Sequence, residues 1–207
     1  MSDWTGVTVG DKVVLCVGPD SGIRDNTLVE VAANGIADPP QWSLGLQPLA
    51  ACYVSNACKG KLGNLETTFA SGLATFAAAS LQYDLVTETR DAIGSAAAVA
   101  LPQEEVIRTR ERSLAALEEY VREQRGPSDV TPDVACGMLF TLLDSRGFSR
   151  SKLVDREPLR DLFVGLKKGE GGGPELLATA LNNCLGGNCD ELLKQWKLCS
   201  GNRSAMK

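Results

Sequence analysis

The chain has 207 residues, a formal net charge of −5 and no histidine. The missing histidine excludes Ser-His-Asp and Cys-His nucleophile pairs, imidazole general bases and histidine-ligated metal sites. With 43% apolar and 23% charged residues the chain has the composition of a folded protein, and its acidity argues against uniform nucleic-acid binding.

The start of the chain shows no secretory signal, because it lacks a basic segment followed by an apolar one. No run reaches the roughly 18 apolar residues that a membrane span requires. The seven cysteines are an odd number, which favours reduced thiols over a disulfide framework. We therefore expect a cytoplasmic protein without a membrane partner.

Residues 1–62 are predicted to form a small β-rich module. The apolar run that ends at Val17 and the segment 28–33 have the composition of strands, and residues 18–22 between them have that of a turn. The apolar residues of 49–55 predict a third strand.

Residues 63–126 are predicted to form a central helical region. Leu65, Phe69, Leu73 and Phe76 recur at helical spacing after Asn64, which is a fair N-cap. A second helix is predicted over 85–99, and Pro102 should end that run. The other face of the first helix carries small residues, which allow a neighbouring helix to approach closely.

The clearest helical pattern covers 103–125 and has one apolar stripe opposite a mixed-charge face. Two interpretations are open. The helix packs in the usual amphipathic manner, or it forms a short coiled coil with a second copy, against which Arg110 in the seam and the short run both argue. The candidate self-association residues are Ile107, Leu114, Leu117 and Val121.

Residues 127–200 are predicted to form a C-terminal helical subdomain after a boundary at 126–128, with a tail over 201–207. Pro132, preceded by a capping threonine, Pro158 and Pro174 each begin a short helix, and a last helix lies between Cys189 and Cys199. The predicted fold class is α+β and mostly helical, with the small β-rich module at the N-terminal end.

The cysteines predict no metal site. The intervals within the group Cys52, Cys58, Cys184, Cys189 and Cys199 do not match the two- to four-residue spacing of structural zinc sites. Most of these thiols are expected to pack as small hydrophobic groups. No catalytic residue and no cofactor is predicted.

One basic stretch is the best nucleic-acid candidate in the chain, although acidic residues dilute it. A glycine-rich loop at 169–173 follows it, but the order of residues is not that of a phosphate-binding loop. The candidate contacts are Arg146, Arg150, Lys152, Arg156, Lys167 and Lys168.

Three functions stay open on this reasoning. The first is a non-enzymatic, self-associating structural protein, such as a capsid-like or scaffold subunit, whose partner is a second copy or another protein. The second is an accessory protein that binds nucleic acid through 146–168. The third is a small enzyme with a cysteine or carboxylate site, and the missing histidine disfavours it.

Overall fold

The computed structural model describes the backbone of residues 14–18, 22–25, 28–32, 42–93, 100–144, 156–184 and 190–198, and the side chains of most of these from Gln47 onward. The described part of the chain is mostly helical, as predicted. Its helices are Trp42–Cys58 (α1), Leu65–Ile93 (α2), Ala100–Arg122 (α3), Pro132–Asp144 (α4), Arg156–Lys168 (α5), Gly173–Cys184 (α6) and Asp190–Gln195 (α7).

Three short strands precede the helices, at Val14–Gly18 (β1), Gly22–Asp25 (β2) and Leu28–Ala32 (β3). The strand order is β1-β3-β2, with β1 parallel and β2 antiparallel to β3. Most of the surrounding residues 1–41 lie outside the described residues. The β-rich module therefore stays a prediction.

The third strand predicted over 49–55 is wrong, because this segment lies within α1. Buried residues in α1 fall three and four positions apart, at Ala50, Val54, Ala57 and Cys58. That spacing is helical, but the contiguous apolar run around it has the same appearance as a buried strand.

The central region also differs from the prediction. Helix α2 is continuous through residue 85, where a new helix was expected, and it ends at Ile93 before Gly94. Helix α3 begins at Ala100, so Pro102 lies in its first turn and does not terminate the run. Proline is tolerated there because the first N–H groups of a helix have no intrahelical acceptor.

Helix α4 begins as the sequence predicts. The backbone N–H of Val134 donates to Thr131 Oγ1 at 3.3 Å, and Pro132 takes the first helical position. The threonine satisfies an N–H group that the helix itself leaves without an acceptor, a contribution of about 1 kcal/mol.

Helix α4 lies in close contact with both α2 and α3. A Cβ atom on Gly72 of α2 would lie 2.6 Å from Ala135 Cβ, and one on Gly137 of α4 would lie 2.3 Å from the backbone oxygen of Ser113 in α3. Neither distance is sterically allowed, so the two glycines permit helix contacts that any side chain would prevent. The rings of Phe76 and Phe140 meet edge-to-face beside this contact, with centroids 5.0 Å apart.

The buried side chains form one cluster that extends from Ala50 to Leu198 and crosses the predicted boundary at 126–128. Tyr120 Oη donates to the backbone oxygen of Trp196 at 2.9 Å, which joins the end of α3 to the segment after α7. The division into parts at 62 and 126 stays a prediction.

We predict that Gly137→Ala lowers the free energy of unfolding by about 1–3 kcal/mol, because the added methyl group would overlap the Ser113 carbonyl. The loss should occur even though alanine favours helix by about 1 kcal/mol over glycine. The measurement is urea unfolding followed by circular dichroism. Gly126→Ala is the control, since its Cβ would have no neighbour nearer than 3.9 Å. Equal stability of the two variants would contradict the prediction.

Candidate interaction surfaces

The candidate self-association stripe divides between the core and the surface. Leu117 is only 6% exposed and belongs to the core, whereas Ile107 is 54% exposed. Leu114 and Val121 are partly buried and pack against the edge of the core. Ile107 is the large hydrophobic residue that stands out as exposed among the residues whose side chains the structure describes.

The arrangement around α3 follows from its helical geometry. Ile107, Leu114 and Val121 are seven residues apart, which is almost two turns of 3.6 residues, so they form one line along the helix. The core-facing side is set by Val106, Ser113 and other buried residues one position earlier. The line therefore runs along the border between the buried face and the solvent, and we call it the α3 edge.

Charged side chains flank the α3 edge on the solvent side. Glu111 and Glu118 are exposed. On the other side of the core-facing strip, Arg112 forms an ion pair of 3.2 Å with Asp133 at the start of α4, and both partners are substantially exposed. Such exposed ion pairs typically stabilise a protein by only about 0–1 kcal/mol. The position of α3 is therefore determined by the packing of its buried side chains.

Only part of the predicted basic stretch falls within the described residues. Arg146, Arg150 and Lys152 lie outside them, and Arg156 belongs to the first turn of α5, where the structure gives the backbone alone. Lys167 and Lys168 are exposed in the last turn of α5. Cations are favoured there because the end of a helix carries partial negative charge.

The loop that follows these two lysines is contacted by a third lysine, Lys61. Lys61 Nζ, in the turn between α1 and α2, donates to the backbone oxygen of Gly169 at 2.8 Å. The backbone N–H of Gly173 donates to the backbone oxygen of Lys61 at 2.6 Å. Pairing over a separation of 108 residues has no local signal in the sequence.

The thiols of Cys52, Cys58 and Cys136 are buried. Burial raises the pKa of Cys58 and of Cys136 to about 12, and it also raises the pKa of Cys52. Glu66 adds to the effect at Cys58. A thiol held in its neutral form is a poor nucleophile and a poor metal ligand.

No group of three or more cysteine, aspartate or glutamate side chains within the described ranges could hold a metal ion. None of the helices in the described part combines the length and apolar character that crossing a bilayer requires. No protein-family model, curated protein or solved structure matches this chain.

We predict that Cys58 and Cys136 of the folded protein react with iodoacetamide about a thousand times more slowly at pH 8 than an ordinary thiol. Raising the pKa from 9.0 to about 12 reduces the thiolate fraction by that factor. Peptide mapping by mass spectrometry, with urea-unfolded protein as the control, measures each site separately. Rapid labelling of either thiol in the folded state would contradict this burial.

The same groups predict that stability decreases at alkaline pH. Burial raises the pKa of Tyr120 to about 12, as it does for Cys58 and Cys136, so the folded state retains protons that the unfolded chain releases. Their contribution is complete below about pH 8 and is lost as pH rises from about 9 toward 12. Urea unfolding should show a loss of about 3 kcal/mol between pH 8 and pH 10. A constant or increasing free energy of unfolding would contradict it.

Proposed function

We propose that the protein is a non-enzymatic structural subunit, capsid-like or scaffold-like, that associates with copies of itself through the α3 edge. The observation that supports this most is the exposure of Ile107 on a helix whose adjacent face is anchored in the core. An exposed isoleucine in line with two partly exposed apolar residues forms an apolar surface. Covering that surface with a partner lowers the free energy of the system.

The α3 edge has the spacing of a helix-pairing seam. Side chains seven residues apart remain aligned over two turns, drifting by about 20° per interval in a straight helix. Leu114 is the middle member, with Ile107 and Val121 one interval to either side. Because the seam is short, we expect weak pairing at this edge alone, and stable assembly would draw on further surfaces.

The non-enzymatic part of the proposal has separate support. The chain has no histidine, and the described thiols are buried with raised pKa values. Those thiols therefore lack the electropositive, accessible setting that a cysteine nucleophile requires.

The test is light scattering coupled to size-exclusion chromatography over a range of concentrations, at 50 and 500 mM salt. We predict that the wild-type chain associates and that Ile107→Glu weakens its association at least tenfold, because a buried carboxylate replaces an apolar contact. Ala115→Glu is the matched control. It makes the same charge change on an exposed residue of the same helix, about 80° around from Ile107.

A wild-type chain that is monomeric at every concentration and both salt levels would refute the proposal. Association that Ile107→Glu and Ala115→Glu weaken equally would show that general charge, and not the α3 edge, controls it. A circular dichroism spectrum unchanged from wild type ensures that each variant is folded.

A further inference from the structure

Two turns that are remote in the sequence form one continuous surface. The turn after α1 contacts the glycine-rich loop after α5 through the two hydrogen bonds of Lys61, one to Gly169 and one from Gly173. The contact leaves no room for a side chain at Gly172, where a Cβ atom would lie 2.8 Å from the Lys61 oxygen. The position of one turn therefore fixes that of the other.

This contact brings four lysines together, all of them exposed. Lys59 is two residues from Lys61, and Lys167 and Lys168 directly precede Gly169. With about 3.8 Å between consecutive Cα atoms, the Cα of each neighbouring lysine lies within about 8 Å of the Cα of a residue in the contact. We call this set, Lys59, Lys61, Lys167 and Lys168, the two-turn surface.

The charge of the two-turn surface is only partly compensated. The ammonium group of Lys61 donates a hydrogen bond to the backbone oxygen of Gly169 within the contact. None of the other three lysines forms an ion pair with a residue whose side chain the structure describes. The nearby Glu66 already accepts hydrogen bonds from Ser55 Oγ at 2.6 Å and from the Gly60 N–H at 3.1 Å. Glu170, exposed in the same loop, and Glu175, exposed in the first turn of α6, are acidic residues that oppose an anion there.

We propose that the two-turn surface binds the phosphate backbone of nucleic acid without reading its bases. Lysine ammonium groups bind phosphates as point charges and gain affinity by releasing counterions. The turns that carry the lysines include no aromatic side chain, so base stacking adds nothing to the binding affinity. A lipid surface is less favoured, because the exposed Ile107 that could insert into it lies on α3 and not among these lysines.

The test is fluorescence anisotropy with a labelled 20-nucleotide oligouridylate. Three to four phosphate contacts predict that wild-type affinity falls about 20- to 50-fold between 50 and 200 mM salt. The triple variant Lys59→Gln, Lys167→Gln, Lys168→Gln should bind weakly, with a fall of about threefold over the same range. Lys61 is left intact so that the contact between the turns is preserved.

Two further variants sharpen the test. Arg108→Gln, Arg122→Gln, Lys194→Gln removes the same charge from exposed positions elsewhere, and it should bind as wild type does. Glu170→Gln should tighten binding about twofold, because it removes a negative charge beside the phosphates. Thermal unfolding of each variant confirms that it is folded.

Several results would overturn this inference. They are absence of binding at 50 mM salt, wild-type binding that salt does not weaken, and equal weakening by the two triple variants. Tighter binding to vesicles containing phosphatidylserine than to the oligonucleotide would assign the surface to a membrane. The inference does not depend on self-association, which light scattering measures separately.

Discussion

The close contact of α4 with α2 and α3 is the constraint on which the described fold depends. It requires hydrogen in place of a side chain at Gly72 and Gly137, because the neighbouring atoms would lie 2.6 and 2.3 Å from a Cβ. Beside this contact the rings of Phe76 and Phe140 meet edge-to-face in the core. Alanine-rich helices and few aromatics are the composition that suits such a core.

This contact also determines what α3 can offer to a partner. Ser113 faces α4 and Leu117 belongs to the core, so that side of the helix is committed within the chain. What remains is the border line of Ile107, Leu114 and Val121 together with a charged outer face. The proposed association and the core therefore use adjacent strips of one helix, and substitutions on the two strips should have separable effects on stability and on assembly.

The sequence predicts those features that have local causes. Thr131 and Pro132 start α4, and the pattern of α3 predicts a helix. Prediction from the sequence fails where one local pattern fits two structures and tertiary packing decides between them. The apolar run at 49–55 fits a strand or a buried helix equally well. The apolar stripe of α3 does not show that Leu117 is buried in the core of the chain whereas Ile107 is exposed. The contact of Lys61 with Gly169 joins residues too distant for any local pattern to indicate it.

The most direct test of the account is hydrogen–deuterium exchange of the wild-type chain at two concentrations, one low and one well above the association range. The account predicts additional protection at high concentration in peptides covering 104–121, with unchanged exchange in α4, whose contacts are internal to the chain. Identical exchange of 104–121 at the two concentrations, or additional protection confined to other helices, would contradict the assignment of the α3 edge as the surface of self-association.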